Sequence, residues 1–181
     1  AVVYAIAAGG SGSATVNATT GFIQAISAGN ITLMATSSGD SDYNATTASQ
    51  VIVIGKNVQT LVITSASTTV VDGTLVASAT STVVNGGTIS YSVINGSGSA
   101  IINATTGVIR PTIRGTITLV ATTAGNTVYA SASISQTITI GKGSPTLTIT
   151  SAGTMFVGGT LTTTVNTTAS YNRGGAKVYS I

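Results

Sequence analysis

The chain has 181 residues, of which 5% are charged, with a net charge of +3 and no His or Cys; about a quarter charged is usual. The acids are Asp40, Asp42 and Asp72, and the bases are Lys56, Lys142, Lys177, Arg110, Arg114 and Arg173. This excludes imidazole-based proton transfer and a disulfide framework, and a mean hydropathy of +0.51 excludes a disordered polyampholyte.

Thr and Ser fill 57 positions, and Val and Ile are abundant, so pleated, half-buried strands are expected throughout. In chain order, the first extended run is Ala1-Val-Val-Tyr-Ala-Ile6. Asn17-Ala-Thr-Thr-Gly21 follows as a turn, then Ile31-Thr-Leu-Met-Ala-Thr36 as a strand. Leu61 and Ile63 alternate with Thr60, Val62 and Thr64. Further strands are predicted over 68–71, 74–80, 88–93, 100–103 and 108–113. Over 116–122, Ile117, Leu119 and Ala121 share one face, and Gln136, Ile138 and Ile140 share another. Turn signals separate the runs at Asp72-Gly73, Asn85-Gly86-Gly87, Asn95-Gly96-Ser97-Gly98, Thr106-Gly107 and Ala124-Gly125-Asn126.

Self-similarity sets the organisation. Residues 22–56 align without gaps on 108–142, an offset of 86, and Thr60-Leu-Val-Ile-Thr-Ser-Ala66 matches Thr146-Leu-Thr-Ile-Thr-Ser-Ala152 at the same offset. Tyr4, Tyr91 and Tyr179 lie 87 and 88 residues apart. Cutting at Gly55-Lys56 and its copy Gly141-Lys142 makes 57–142 a whole repeat, 1–56 the C-terminal part of a preceding one, and 143–181 the N-terminal part of a following one. Residue 1 is Ala and no signal peptide precedes the first strand, so the expectation is a window on a longer array. The other version is a subunit whose front fragment completes the back fragment of the next chain by strand exchange. Seven or so short strands per repeat predict an all-β protein of tandem immunoglobulin-like β-sandwich repeats of about 86–88 residues.

The run Ala100 to Gly107, then Gly115 to Thr122, Ala124 to Tyr129 and Gln136 to Lys142, resembles bacterial Ig-like (Big-type) tandem repeats of large cell-surface and adhesin proteins. The first copy departs at Gly39-Asp-Ser-Asp-Tyr43, where the second reads Gly125-Asn-Thr-Val-Tyr129. The resemblance implies an extracellular or cell-surface module of structural role.

No enzyme is expected. Ser-x-x-Lys is absent, because Val53, Thr139 and Gly174 precede Lys56, Lys142 and Lys177 by three. Gly55-Lys56 and Gly141-Lys142 lack the Ser or Thr of a phosphate-binding loop. No cofactor is expected, and the one metal candidate is a weak calcium site at Asp40 and Asp42, whose counterparts are Asn126 and Val128. Bases are too scattered for nucleic acid, and no apolar run is long enough for a membrane span. Asn17, Asn30, Asn44, Asn95, Asn103 and Asn166 begin N-glycosylation sequons. A surface so poor in Lys and Glu leaves strand edges unguarded, so self-association into a filament or lattice is the expected partnership. The alternative is an adhesin-type module that recognises glycans or a host protein through its loops, with residues 39–43 and 110–114 as candidates, since Arg110 and Arg114 replace Gln24 and Ala28 of the first copy.

Overall fold

The computed structural model describes residues 1–168. It is all-β, with no helix among them. Tyr171, Arg173, Lys177 and Tyr179 lie outside the described residues. The chain divides into two compact units.

The first unit takes in residues 1–62, 80–89 and 122–134. It holds β1 (Val2–Ala7), β2 (Ser13–Val16), β3 (Ile23–Ser27), β4 (Gly29–Ser37) and β5 (Thr46–Ile54). β4 is the middle of an antiparallel sheet in the order β1-β4-β5, and its ladder with β5 runs unbroken from Gly29↔Ile54 to Ser37↔Thr46. β2 and β3 form a hairpin. Ile31 is fully buried, whereas the other inward-facing residues, Ile23, Leu33, Ala35, Ile52 and Ile54, are only half-buried.

The second unit takes in residues 63–79, 90–121 and, among the described residues, 135–168. The strands from here on are β6 (Leu61–Ile63), β7 (Thr68–Val70), β8 (Leu75–Val76), β9 (Ala79–Ser81), β10 (Ile89–Asn95), β11 (Ser99–Ile102), β12 (Val108–Ile113), β13 (Gly115–Thr123), β14 (Ala132–Gly141), β15 (Leu147–Ile149) and β16 (Val165–Thr167). One sheet has the order β10-β13-β14-β7, the other β11-β12-β8. β7 joins β14 in parallel, and β12 pairs antiparallel with both β11 and β8. The two sheets share one apolar core of Ala77, Ala100, Ile109, Ile117, Leu119, Ile138 and Ile140, onto which Ile63, Val71, Leu75, Tyr91, Val93 and Ile102 pack. Alternation puts Ile117 and Leu119 of β13 and Ile138 and Ile140 of β14 into this core, as period-two patterning demands. At about 25 cal/mol per Å² of apolar area, these Ile and Leu side chains are the main cohesive term.

One predicted strand is corrected. Residues 74–80 were expected to form one run, but β8 pairs with β12 and β9 pairs with β6. The break falls at Ala77, whose N–H donates to Gly107 O, and Thr64 N–H donates to Ser78 O beyond it. The chain changes sheets there, so a single alternating run serves two different partners.

Candidate functional site

The repeated motifs are turns, and their side chains are engaged in holding them. Asn17 Oδ1 accepts from the N–H groups of Thr19 and Thr20, at 3.0 and 2.9 Å. Asn103 Oδ1 accepts from Thr105 and Thr106 at the same distances. Gly21 and Gly107 close the two turns at φ +72° and +70°, which favours glycine. Gly107 donates to Asn103 O and Gly21 to Asn17 O. Asn-Ala-Thr-Thr-Gly is therefore an Asx turn that joins β2 to β3 and β11 to β12.

The Gly39 to Tyr43 loop works the same way. Asp40 Oδ1 accepts from Asp42 and Tyr43 N–H, both at 2.9 Å. Asn126 Oδ1 accepts from Val128 and Tyr129 N–H, both at 2.8 Å. The acid in the first copy and the amide in the second supply the same oxygen. Asp40 thus has a structural task that explains its position without a metal, and Asp42 is exposed. Among the described residues there is no group of three metal-type side chains. The periodic placement of Tyr43 and Tyr129, as of Tyr4 and Tyr91, predicts core or corner packing; Tyr129 is half-buried, but Tyr43 is 76% exposed. Tyr91 follows that expectation more closely: it is half-buried, and its hydroxyl accepts from Ala79 N–H at 3.1 Å.

All six sequon asparagines are exposed. Asn17 and Asn103 occupy the Asx turns, and Asn95 Oδ1 accepts from Ala100 N–H at 3.0 Å. Asn30 lies in β4, Asn44 just before β5, and Asn166 in β16.

The two arginines of the second candidate loop are separated. Arg110 lies within β12 on the outward face, between buried Ile109 and Pro111. Arg114 lies at the β12–β13 turn and lines an open groove of about 410 Å³ with Lys142, Ser97, Thr116 and Thr139. Ser97 Oγ and Thr116 Oγ1 are 3.1 Å apart, and Ser97 Oγ also accepts from Thr116 N–H. Two cations beside hydroxyls can hold an anionic or polyhydroxylated group. No carboxylate is among the residues that line the groove.

Two features were not read from the sequence. One is a buried amide: Gln59, 4% exposed, donates through Nε2 to Gly86 O at 2.8 Å and Ala130 O at 2.6 Å, and its Oε1 accepts from Ser81 Oγ at 2.9 Å. Thr123, also buried, donates to Gly86 O at 3.3 Å. These bonds tie 80–89 and 122–134 to the first unit. The third copy has Pro145 at this position, so periodicity does not flag it. The other is the pairing of hydroxyls across strands. Thr60 with Thr82 (3.2 Å) and Thr64 with Ser78 (3.0 Å) recur as Thr146 with Thr168 (3.2 Å) and Thr150 with Thr164 (2.8 Å).

No protein-family model matches the chain, and no curated protein does. The resemblance to Big-type repeats therefore stands on its motifs alone. Among solved structures, the chain is similar to a SusE-like, surface-located polysaccharide-binding protein from the heparin utilisation locus of Bacteroides thetaiotaomicron. The TM-score is 0.37 and the identity 14%, over 78% of this chain and 29% of that one. The chain thus spans less than a third of that protein's length.

Proposed function

We propose that the chain is a non-catalytic structural segment of an extracellular or cell-surface repeat protein that builds a stalk, filament or lattice. The observation that supports this reading is that what recurs at the 86-residue offset is scaffold: the same Asx turns and the same cross-strand hydroxyl pairs, bond for bond. The groove at Arg114 and Lys142 is only half repeated in the first copy, where Lys56 matches Lys142 but Ala28 stands for Arg114. Sugars carried on the exposed sequons belong to the same reading, since they would solubilise a surface with little charge. Electron microscopy of the protein at its native surface is expected to show continuous rods, filaments or a lattice. Scattered single particles would overturn it.

A second reading is an adhesin-type module for glycans or a host protein. It is supported by the convergence of Arg114 and Lys142 with hydroxyls in one groove. It expects glycan-array binding that is lost in Arg114→Ala and kept in Arg110→Ala. An array without signal would remove it.

A further inference from the structure

We infer that Asn17 and Asn103 are acceptors for N-linked saccharides, one at the same hairpin tip of each copy. This rests on the scaffold reading and deepens it: among the six sequons, two are presented by the fold as mounts, and the donor is a saccharide carried on a lipid pyrophosphate.

Each of these amides divides its work between its two polar atoms. Asn17 Oδ1 faces the N–H groups of Thr19 and Thr20, and Asn103 Oδ1 those of Thr105 and Thr106. All four partners are backbone donors, so the atom that meets them is the oxygen, and Nδ2 lies on the other side of the amide. The turn uses the oxygen and leaves the nitrogen over. The loop after β4 shows that such a turn has no need of the nitrogen. Asp40 makes through a carboxylate oxygen, to Asp42 and Tyr43 N–H, the pair of bonds that Asn126 makes through its amide oxygen to Val128 and Tyr129. An aspartate would therefore serve at 17 and 103, yet both copies carry the amide.

The complete acceptor recurs as well. Asn17-Ala18-Thr19 and Asn103-Ala104-Thr105 stand 86 residues apart, whereas Asn30 and Asn44 have Thr116 and Ala130 at that offset. Access is open at both tips. Residues 17–20, between β2 and β3, and 103–106, between β11 and β12, are exposed at every position. Asn30 is placed differently. It lies in β4 opposite Val53, its N–H donates to Ser11 Oγ, and its carbonyl accepts from Gly12 N–H, so a ladder holds its sequon straight.

Transfer forms a bond from asparagine Nδ2 to C1 of the saccharide. The bond from C1 to the pyrophosphate oxygen breaks, the lipid pyrophosphate leaves with the electron pair, and the amide gives up one proton. Oδ1 remains an acceptor, so the turn survives the modification. A hydrated saccharide at each tip supplies solvation that a chain with 5% charged residues otherwise lacks.

The test incubates the folded 181-residue chain with an oligosaccharyltransferase that requires only Asn-x-Ser/Thr and with a saccharide linked to a lipid pyrophosphate, and reads each sequon by glycopeptide mass spectrometry. Sugar is expected at Asn17 and at Asn103, with occupancy of Asn30 at least about tenfold lower, because β4 must first leave its ladder. Thr105→Ala removes the acceptor hydroxyl and keeps the N–H that the turn uses; Asn103→Asp keeps the oxygen and removes the nitrogen. Each should abolish sugar at residue 103, keep it at Asn17, and leave the denaturant midpoint of the unmodified chain unchanged. A vacant Asn17 or Asn103, occupancy of Asn30 equal to theirs, or sugar persisting at Asn103 in Thr105→Ala would overturn the assignment. Rods at the native surface built from a chain without sugar would remove the mounts and leave the scaffold reading standing; scattered particles that carry both sugars would do the reverse.

Discussion

Gln59 is the residue on which most separate segments depend. Its amide satisfies two carbonyls and one hydroxyl from two different stretches of chain, 80–89 and 122–134, in a buried or part-buried place. Truncation would leave those partners desolvated without a bond, which costs more than the bonds themselves contribute. Gln59→Ala is expected to destabilise by about 3 kcal/mol, read as a lower denaturant midpoint and as lost amide protection in 80–89 and 122–134. The opposite sign is expected at Ser65, whose Oγ is buried without a partner. Ser65→Ala should be neutral or stabilise by up to about 1 kcal/mol in the same measurement. The sequence places neither residue, because a lone polar side chain in an alternating run looks the same whether it faces water or a ring of carbonyls. Asn17 and Asn103 are different. Their motif repeats and ends in a glycine, so the turn was legible from spacing before its hydrogen bonds were seen.

At the scale of elements, legibility followed locality. The predicted strand over 108–113 coincides with β12, and 116–122 lies within β13, because each keeps one partner face along its length. The run over 74–80 failed because a change of sheet leaves no mark in the alternation of apolar and hydroxyl side chains. The abundance of Thr and Ser predicts pleated, half-buried strands but not which hydroxyls face one another. Part of it serves as cross-strand pairing, each pair contributing about 0.2–1 kcal/mol. The two Asx hairpins also show how surroundings modify an identical turn. A Cβ on Gly107 would come within 2.6 Å of Ala77 O, which is backbone, whereas one on Gly21 would meet the Tyr4 ring at 3.2 Å, which can swing. Both carry the positive-φ penalty of about 1–2 kcal/mol. Gly107→Ala is therefore expected to be the more damaging by about another 1–2 kcal/mol. Hydrogen exchange of the β11–β12 amides, compared with the β2–β3 amides in Gly21→Ala, would measure it; equal losses would contradict the steric account.

For the whole molecule, the repeat was plain in the sequence, but its energetic consequence was not. The same residue types at the same offset make a dry core in one place and a half-wet face in another, because burial depends on which strands are present to cover them. Ile109 and Ile23 are such a pair. Ile109→Ala removes a fully buried side chain and is expected to cost about 3–4 kcal/mol; Ile23→Ala in the free monomer should cost about 1 kcal/mol, since less apolar area returns to water. Low charge also fixes how the association proposed between copies responds to solvent. With 5% charged residues, attraction between copies has little Coulombic part to screen. Association should be nearly flat between about 0.05 and 0.5 M sodium chloride. It should strengthen in sulfate, which favours apolar burial, and weaken in the cold, where the hydrophobic term fades. Light scattering across the two salts and a temperature ramp would check this. Dissociation by sodium chloride alone would instead assign the contact to the few arginines and lysines, such as those at the Arg114 and Lys142 groove, rather than to apolar burial.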